Sequence, residues 1–469
     1  MEKGVYRDSF ARTHQPHELV NDFETLLAYN QIVSVPGRVI AKRVMGKVTF
    51  FIIADSEGKI QCFGDTDHLG DDGYTSLVRT IKIGDIIGTT GHVFVTRRGE
   101  KTIMADRIEL LTTALLPLPE KWHGLTDLET RYRQRYLDLI ANENTRRVFR
   151  MRSKIIAAMR HRLEKDNFTE VETPIFQKNP CGASANPFVT HHDAKDINLY
   201  MRISPETFLK QLVVGGMDRV YEIGKNFRNE GLDASHLQEF TMLEYYASYW
   251  NYRDNMRYIR ELIQHVTRET LGILQINYQG IDLDFAAEWR VVEYRDLVLE
   301  DSGIDVLAFN QVADLLRVIR EHHIDLGEVP PHASFGTVID KLYKRVSRPK
   351  LVQPTFLLHH PAVLMPLARP NDKDPRIIDS FQVLVNGWEI AKAYSELGDP
   401  NLQRRLLEEQ VTLRSTGDDE AMFLDTDFLT SLEYGMPPVS GAGIGIDRFA
   451  AILTNQRNLT DVVLFPLLR

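Results

Sequence analysis

The segment RVYEIGKNFRNEGLDASHLQEFTMLEYY, residues 219–246, constrains this chain more than any other. It reads as two strands joined by a polar loop. Side chains alternate faces along a strand, so Glu222, Asn226, Arg228 and Glu230 point one way. On the returning strand Phe240, Met242, Glu244 and Tyr246 share a face. Such a face is not ordinary core, because unpaired buried charge costs several kcal/mol. An exposed amphipathic hairpin explains the charges but leaves the interleaved Phe240, Met242 and Tyr246 without a reason. The pattern predicts the floor of a binding site for a polar ligand with a flat ring.

The rest of the chain narrows the ligand. The net charge of -9 argues against a generic polyanion binder, since phosphate contacts need Lys and Arg. A nucleic acid would have to meet local basic patches, at 42–47, 97–101 or 131–135. Cys62 and Cys181 are the two cysteines, far apart in sequence, which points to a reducing compartment without a disulfide framework or zinc site. No apolar run approaches the roughly 18 residues of a membrane span, and the start does not read as a signal peptide, so a cytoplasmic location is expected.

Along its length the chain divides in two. Residues 1–31 read as a helical lead-in. Residues 32–114 carry five β-rich segments: VPGRVIAKRV, KVTFFIIAD, GKIQCFG, DIIGTTGHVFVTRRGEKTI and RIELLTTAL. Turn signals at 56–58 and 98–100 punctuate them. Five short strands fit a small closed barrel of the oligonucleotide-binding (OB) type. Residues 115–135, punctuated by Pro117 and Pro119, read as a linker. From 136 to 469 long amphipathic helices such as 144–165 alternate with strands, giving an α+β chain overall. The stretch 268–352 reads mostly as helix, including 312–323 and 336–345.

Three further groups of residues carry chemistry. In the barrel, Phe50 and Gln61 on neighbouring strands, with Lys42, Arg43 and Glu100, are the residue types that stack on bases, read their edges and hold phosphates. Around FQVLVNGWEIAKAYSEL, Asn386-Gly387 is a hairpin signal, and Lys392, Tyr394 and Glu396 share the face of the strand that follows. Glu389 has the opposite parity, so a twist or bulge must intervene if it joins them. In GAGIGIDRF, glycines 441, 443 and 445 strip one strand face, which implies close approach to that backbone. Arg448 follows at the start of an expected helix.

FRNE at 227–230 with QEFTMLE resembles motif 2 of the class II aminoacyl-tRNA synthetases. GIGIDRF at 443–449 resembles motif 3, and the helix leading into Glu172-Thr173-Pro174 resembles motif 1. The motifs span about 219–246, 441–453 and 150–174. RVMGK, RYRQRYLDL, VETPIF, NPFVTHH, LKQLVVGG, GDDEAMF and DVVLFPLLR make the chain similar to the class II lysyl-tRNA synthetases over nearly its whole length. The resemblance implies an OB-fold anticodon-binding domain and a catalytic domain built on an antiparallel sheet flanked by helices. It implies a cytoplasmic homodimer that joins lysine to ATP as lysyl-adenylate, with Mg²⁺, and then charges lysine tRNA.

By that resemblance Arg228 contacts the α-phosphate and the substrate carboxylate. Phe240 and Arg448 sandwich adenine, Glu230 takes its amino group, His236 the outer phosphates, and Glu389 a Mg²⁺. Glu206 and the backbone near Gly182 take the α-amino group. Glu244, Tyr246, Tyr394 and Glu396 form the lysine pocket, because two meeting carboxylates call for a cation between them. Phe50, Gln61, Glu100 and either Lys42 or Arg43 read the anticodon.

The chain departs from the family at Gln382, where Glu or Asp is usual, and at Lys392, where Asn is usual. A neutral amide is a poor Mg²⁺ ligand, so Gln382 puts the number of ions in question, and Lys392 is expected to offset the lost charge. Cys181 replaces a glycine beside the substrate, and Gly398 an Asn. Two other readings are a paralogue that transfers an amino acid to protein, against which the barrel speaks, and an inactive RNA-binding derivative, against which Arg228, Glu230 and Arg448 speak.

Overall fold

Alternation along five strands closes the N-terminal barrel. The computed structural model describes residues 4–119, 125–231, 233–331, 333–418 and 420–468. Part of the expected linker (120–124), one residue of the hairpin loop (232) and one of GDDEAMF (419) lie outside the described residues, as does the last residue of DVVLFPLLR. Strands β1 (Ile32–Met45), β2 (Val48–Ala54), β3 (Lys59–Asp65), β4 (Ile86–Val95) and β5 (Lys101–Thr112) pair in the order β1-β2-β3-β5-β4 and close. Val33, Val35, Val39, Phe51, Ile53, Cys62 and Ile103 fill the interior. Helix Pro16–Ala28 adds Leu19, Phe23 and Leu26 to that core, so part of the lead-in belongs to the barrel itself.

Two expectations for this region are corrected. The fifth strand starts at Lys101, because Arg98-Gly99-Glu100 turns the chain there, with Gly99 at φ 84°. Two helices, Thr66–Leu69 and Asp71–Thr80, stand between β3 and β4 where none was expected. Asp65 caps the first, accepting from the His68 amide.

The described residues fall into two compact units, Met1–Arg147 with Phe465–Arg469, and Val148–Leu464. The second unit is organised by an eight-stranded sheet. Its strands are β6 (Thr169–Glu170), β7 (Arg219–Phe227), β8 (Glu239–Ser248), β9 (Arg290–Glu293), β10 (Thr355–Leu358), β11 (Ser380–Val385), β12 (Trp388–Ser395) and β13 (Val439–Gly445). Their order is β9-β10-β11-β12-β13-β8-β7-β6. The sheet is not purely antiparallel: β9 with β10 and β7 with β6 are parallel pairs at its two edges, each reached by a long crossover. One face packs on helices Glu143–Lys165, Tyr252–Leu271 and Ile446–Leu453 through Leu243, Tyr245, Phe381, Val383, Ile390 and Ile444. The other face is left for a ligand.

The stretch read as mostly helical contains helices Tyr294–Ser302, Val312–Glu321 and Phe335–Val346, but also three strands. Gln275–Tyr278 and Ile281–Asp284 form a hairpin because Gln279 and Gly280 both take positive φ, which reverses the chain tightly. The third, β9, joins the main sheet.

Candidate active site

The hairpin that dominates the sequence supplies the sixth and seventh strands of the sheet, β8 and β7. β7 and β8 pair Glu222 with Glu244, Gly224 with Met242 and Asn226 with Phe240. Not all of its charge belongs to the cleft. Glu222 is buried against Arg202 at 2.5 Å and accepts from the Thr173 hydroxyl at 2.7 Å, which ties the Glu172-Thr173-Pro174 segment to the sheet. Gly224 lets the Arg202 guanidinium lie flat on the strand, in the space a Cβ would fill.

The parity problem at Glu389 is solved by a β-bulge. Asn386 (φ 48°) and Gly387 (φ 72°) make the tight turn between β11 and β12. Val383 then pairs with Ala391 but Leu384 with Glu389, leaving Ile390 as the extra residue. Ile390 and Ala391 both enter the core, and Glu389 turns to the cleft with Lys392, Tyr394 and Glu396.

One cleft thus gathers Gly182, Glu206, Arg228, Glu230, His236, Phe240, Glu244, Tyr246, Glu389, Lys392, Tyr394, Glu396 and Arg448. At one end the Arg228 guanidinium lies 5.0 Å over the Phe240 ring, and its buried Nε has no hydrogen-bond partner. Arg448 donates to the Glu389 carbonyl at 3.1 Å and the Ser235 carbonyl at 3.4 Å. Its helix is fixed by Asp447, which accepts from the Thr241 amide at 2.7 Å and pairs with Arg152 at 2.6 Å. His236 is held by Asp233 at 2.8 Å.

Gln382 stands directly opposite Lys392 and donates its amide to the Glu389 carboxylate at 2.9 Å. Burial opposes ionisation of Glu389. Arg448, then Lys392, Arg348 and Lys344, outweigh it and hold the carboxyl below its ordinary range. Burial lowers the pKa of Lys392 in turn, with Glu389 and Glu206 opposing and Arg228 adding to it. Among the described residues no side chain hydrogen-bonds the Lys392 ammonium. Nor, among them, do three His, Cys, Asp or Glu side chains meet in a group able to hold a metal ion. Glu389 is therefore a single carboxylate faced by cations.

The other end of the cleft is acidic. Glu244 is 5% exposed and accepts from the Ser204 hydroxyl at 3.0 Å. Burial, then Glu206, raises its carboxyl to about 8. Glu396 accepts the Gly441 amide at 3.0 Å, and burial raises it to about 8 as well. Gly441 is required here: a Cβ would overlap the Tyr246 ring and reach 2.6 Å from Glu396. Gly182, at φ 99°, is pressed against Glu206 and Ser204. Cys181 turns away from the cleft into an apolar cluster with Leu367, Leu407 and Phe428.

Sequence reasoning missed Lys210. It is fully buried on helix Glu206–Val214, 2.6 Å from Glu206 and 2.5 Å from Glu396. Tyr394 completes the cluster, donating its hydroxyl to Glu206 at 2.7 Å. Burial works against the Lys210 ammonium, but the two carboxylates prevail and raise its pKa. The i, i+4 spacing of Glu206 and Lys210 in an expected helix was the available signal.

A family model described as tRNA synthetases class II (D, K and N) matches residues 127–469. The chain belongs to the class II tRNA synthetases. A lysine–tRNA ligase of Pelotomaculum thermopropionicum is 44% identical over 100% of this chain and 92% of its own length. A lysine–tRNA ligase of Bacillus subtilis is 44% identical over 98% and 92%, and one of Aquifex aeolicus 44% over 93% and 73%. Members of this family charge tRNA through an aminoacyl-adenylate. A second model, described as OB-fold nucleic acid binding domain, matches residues 33–111 and gives the synthetase its tRNA-binding module. No described helix is long and apolar enough to cross a membrane.

On that module Phe50 is half-buried and pairs across the sheet with Phe63 at a ring separation of 5.1 Å, and Phe63 meets Phe94 at 6.0 Å. Gln61 lies beside this aromatic strip and donates to the Thr102 hydroxyl at 3.0 Å. Arg43 is exposed and opposite Phe50, while Glu100 is exposed in the turn before β5. Lys42 points elsewhere: its ammonium donates to the Val78 and Ile81 carbonyls at 2.6 and 2.7 Å, closing helix Asp71–Thr80.

Proposed function

We propose that this synthetase activates L-lysine with ATP, forming lysyl-adenylate and pyrophosphate, and then transfers lysine to the 3′ end of a lysine tRNA. The observation that carries the reading is the acidic end of the cleft: Glu244 and Glu396 converge beside Tyr246 and Tyr394, next to an arginine with an unpartnered Nε. Such a pocket favours a ligand with a distal ammonium and disfavours the shorter, neutral or acidic side chains of aspartate and asparagine. The names of the relatives agree with it.

Each residue takes a role that its position allows. Arg228 and Lys392 meet the substrate carboxylate and the α-phosphate, where negative charge grows as the carboxylate attacks phosphorus in line and pyrophosphate departs. Phe240 and Arg448 enclose adenine, Glu230 accepts from its amino group, and His236 meets the outer phosphates. Glu206 and the backbone at Gly182 take the α-ammonium; Glu244, Tyr246 and Glu396 surround the ε-ammonium. No covalent enzyme intermediate is needed, so positioning and charge stabilisation supply the catalysis.

Mg²⁺ would be held by Glu389 together with ATP phosphates, and would supply neutralising charge there. Gln382, with its amide N–H turned to Glu389, adds no anionic ligand. In the barrel Phe50 stacks on an anticodon base, Gln61 and Glu100 read edges, and Arg43 holds the backbone. The synthetase works as a cytoplasmic homodimer joined through the motif 1 region. ATP–pyrophosphate exchange with each amino acid tests the core of this reading. Exchange with lysine, followed by charging of lysine tRNA, is expected; absence of exchange with any amino acid would overturn it.

A further inference from the structure

The amino-acid pocket contains an ammonium group of its own. Glu206, Glu244 and Glu396 bring three carboxylates to one end of the cleft, and Lys210 bridges two of them from beneath. Its position leaves no other task. It is fully buried, with the rings of Tyr394 and Phe428 5.7 and 5.6 Å from its Nζ, so it makes no surface contact. Nor does it line the cleft, so it does not touch a bound ligand. A buried ion pair of this kind is weak evidence for stability but can set the charge of a site.

We propose that Lys210 is a specificity-determining positioning residue that sets the pocket's charge to match a diamino acid. With lysine bound and all three carboxylates ionised, three carboxylates less one ammonium leave two negative charges. Free lysine carries two ammonium groups, while its carboxylate is met separately by Arg228 and Lys392. The inference rests on the lysine reading above. Without Lys210 the same three carboxylates would face two substrate cations, and one would have to take a proton or remain unpaired, out of position. Glu396 is the carboxylate at stake, because Lys210 and the Gly441 amide are what hold its two oxygens.

The effect of removing Lys210 is expected to change sign with Glu396. Lysine dissociation constants from calorimetry, with KM and kcat for lysine-dependent exchange, are compared for the parent, K210M, E396Q and K210M/E396Q. K210M is expected to weaken lysine binding about 10-fold or more, with the ATP KM little changed. E396Q, which leaves one negative charge, weakens it as well. Adding K210M to E396Q restores the balance and is expected to regain at least about 5-fold in lysine affinity. If K210M fails to fold, the comparison of E396Q with the double variant still decides, since neither leaves three carboxylates without a cation. A loss of similar size in both backgrounds, or no effect in either, overturns the proposal. A parent enzyme without lysine-dependent exchange would instead overturn the substrate reading.

Discussion

Gln382 sits directly across from Lys392 on adjacent strands, a neutral amide beside an ammonium that lines the cleft. The amide is turned to Glu389, and the ammonium is left free for a ligand. By the family resemblance, a protein-borne cation thus stands where Asn is expected and a neutral amide where a carboxylate is expected. Lys392→Asn is expected to lower kcat/KM for lysine-dependent exchange by about 10-fold or more, the size of one charge-assisted hydrogen bond. It is also expected to raise the Mg²⁺ concentration needed for half-maximal rate. Equal activity and equal Mg²⁺ dependence in parent and variant would end this account of Lys392.

The acidic pocket should make the free enzyme sensitive to alkali. Glu244 and Glu396 have carboxyls raised from 4.5 to about 8 by burial, so between these values the folded state holds protons that the unfolded chain has released. Stability must then fall as pH rises through that window, by up to about 1.4 kcal/mol per pH unit for each group. The melting temperature of the free enzyme is expected to drop from pH 6 to pH 8.5. Saturating lysine supplies the missing cation and flattens the slope; parallel curves with and without lysine would contradict this.

Gly441→Ala isolates the pocket from the nucleotide site. The added methyl overlaps Tyr246 and Glu396, and overpacking of this kind costs about 1–3 kcal/mol. Lysine KM should rise by about 5-fold to 100-fold while ATP KM stays near the parent value. A uniform change in both constants would mean that the whole sheet has shifted.

The barrel offers a paired test. Phe50→Ala removes the outer ring of the Phe50–Phe63–Phe94 strip and should raise the tRNA KM by about 5-fold to 100-fold, the range for one stacked base. ATP–pyrophosphate exchange should not change. Lys42→Ala should act differently, lowering the melting temperature through its lost contacts with the Val78 and Ile81 carbonyls. Equal loss of tRNA affinity in Lys42→Ala and Arg43→Ala, with no loss of stability, would reverse these assignments.

Much of the site was legible because it rests on short-range rules. Period-two alternation placed Glu244 and Tyr246 together on β8, the Asn386-Gly387 pair announced its own turn, and the three glycines of β13 announced a close approach. The odd parity of Glu389 called for a twist or bulge if it joined the site, and the strand has its bulge at Ile390. What stayed hidden depends on contacts between distant segments. That Glu222 is spent on Arg202, Lys42 on a helix end and Lys210 on Glu396 could not be read from spacing, since each partner belongs to another element. The parallel edges of the sheet were missed for the same reason: β6 and β9 are short, and only their neighbours make them strands.

The bulge at Ile390 also fixes what kinds of sequence change this strand can absorb. Straightening the strand at unchanged length would turn Glu389 inward, but removing Ile390 would restore a regular ladder with Glu389 still on the face of Lys392. The cleft would keep its carboxylate, and the core would lose the Ile390 side chain. A variant lacking Ile390 is therefore expected to melt at a lower temperature while keeping adenylation; loss of adenylation at an unchanged melting temperature would show that the bulge itself positions Glu389.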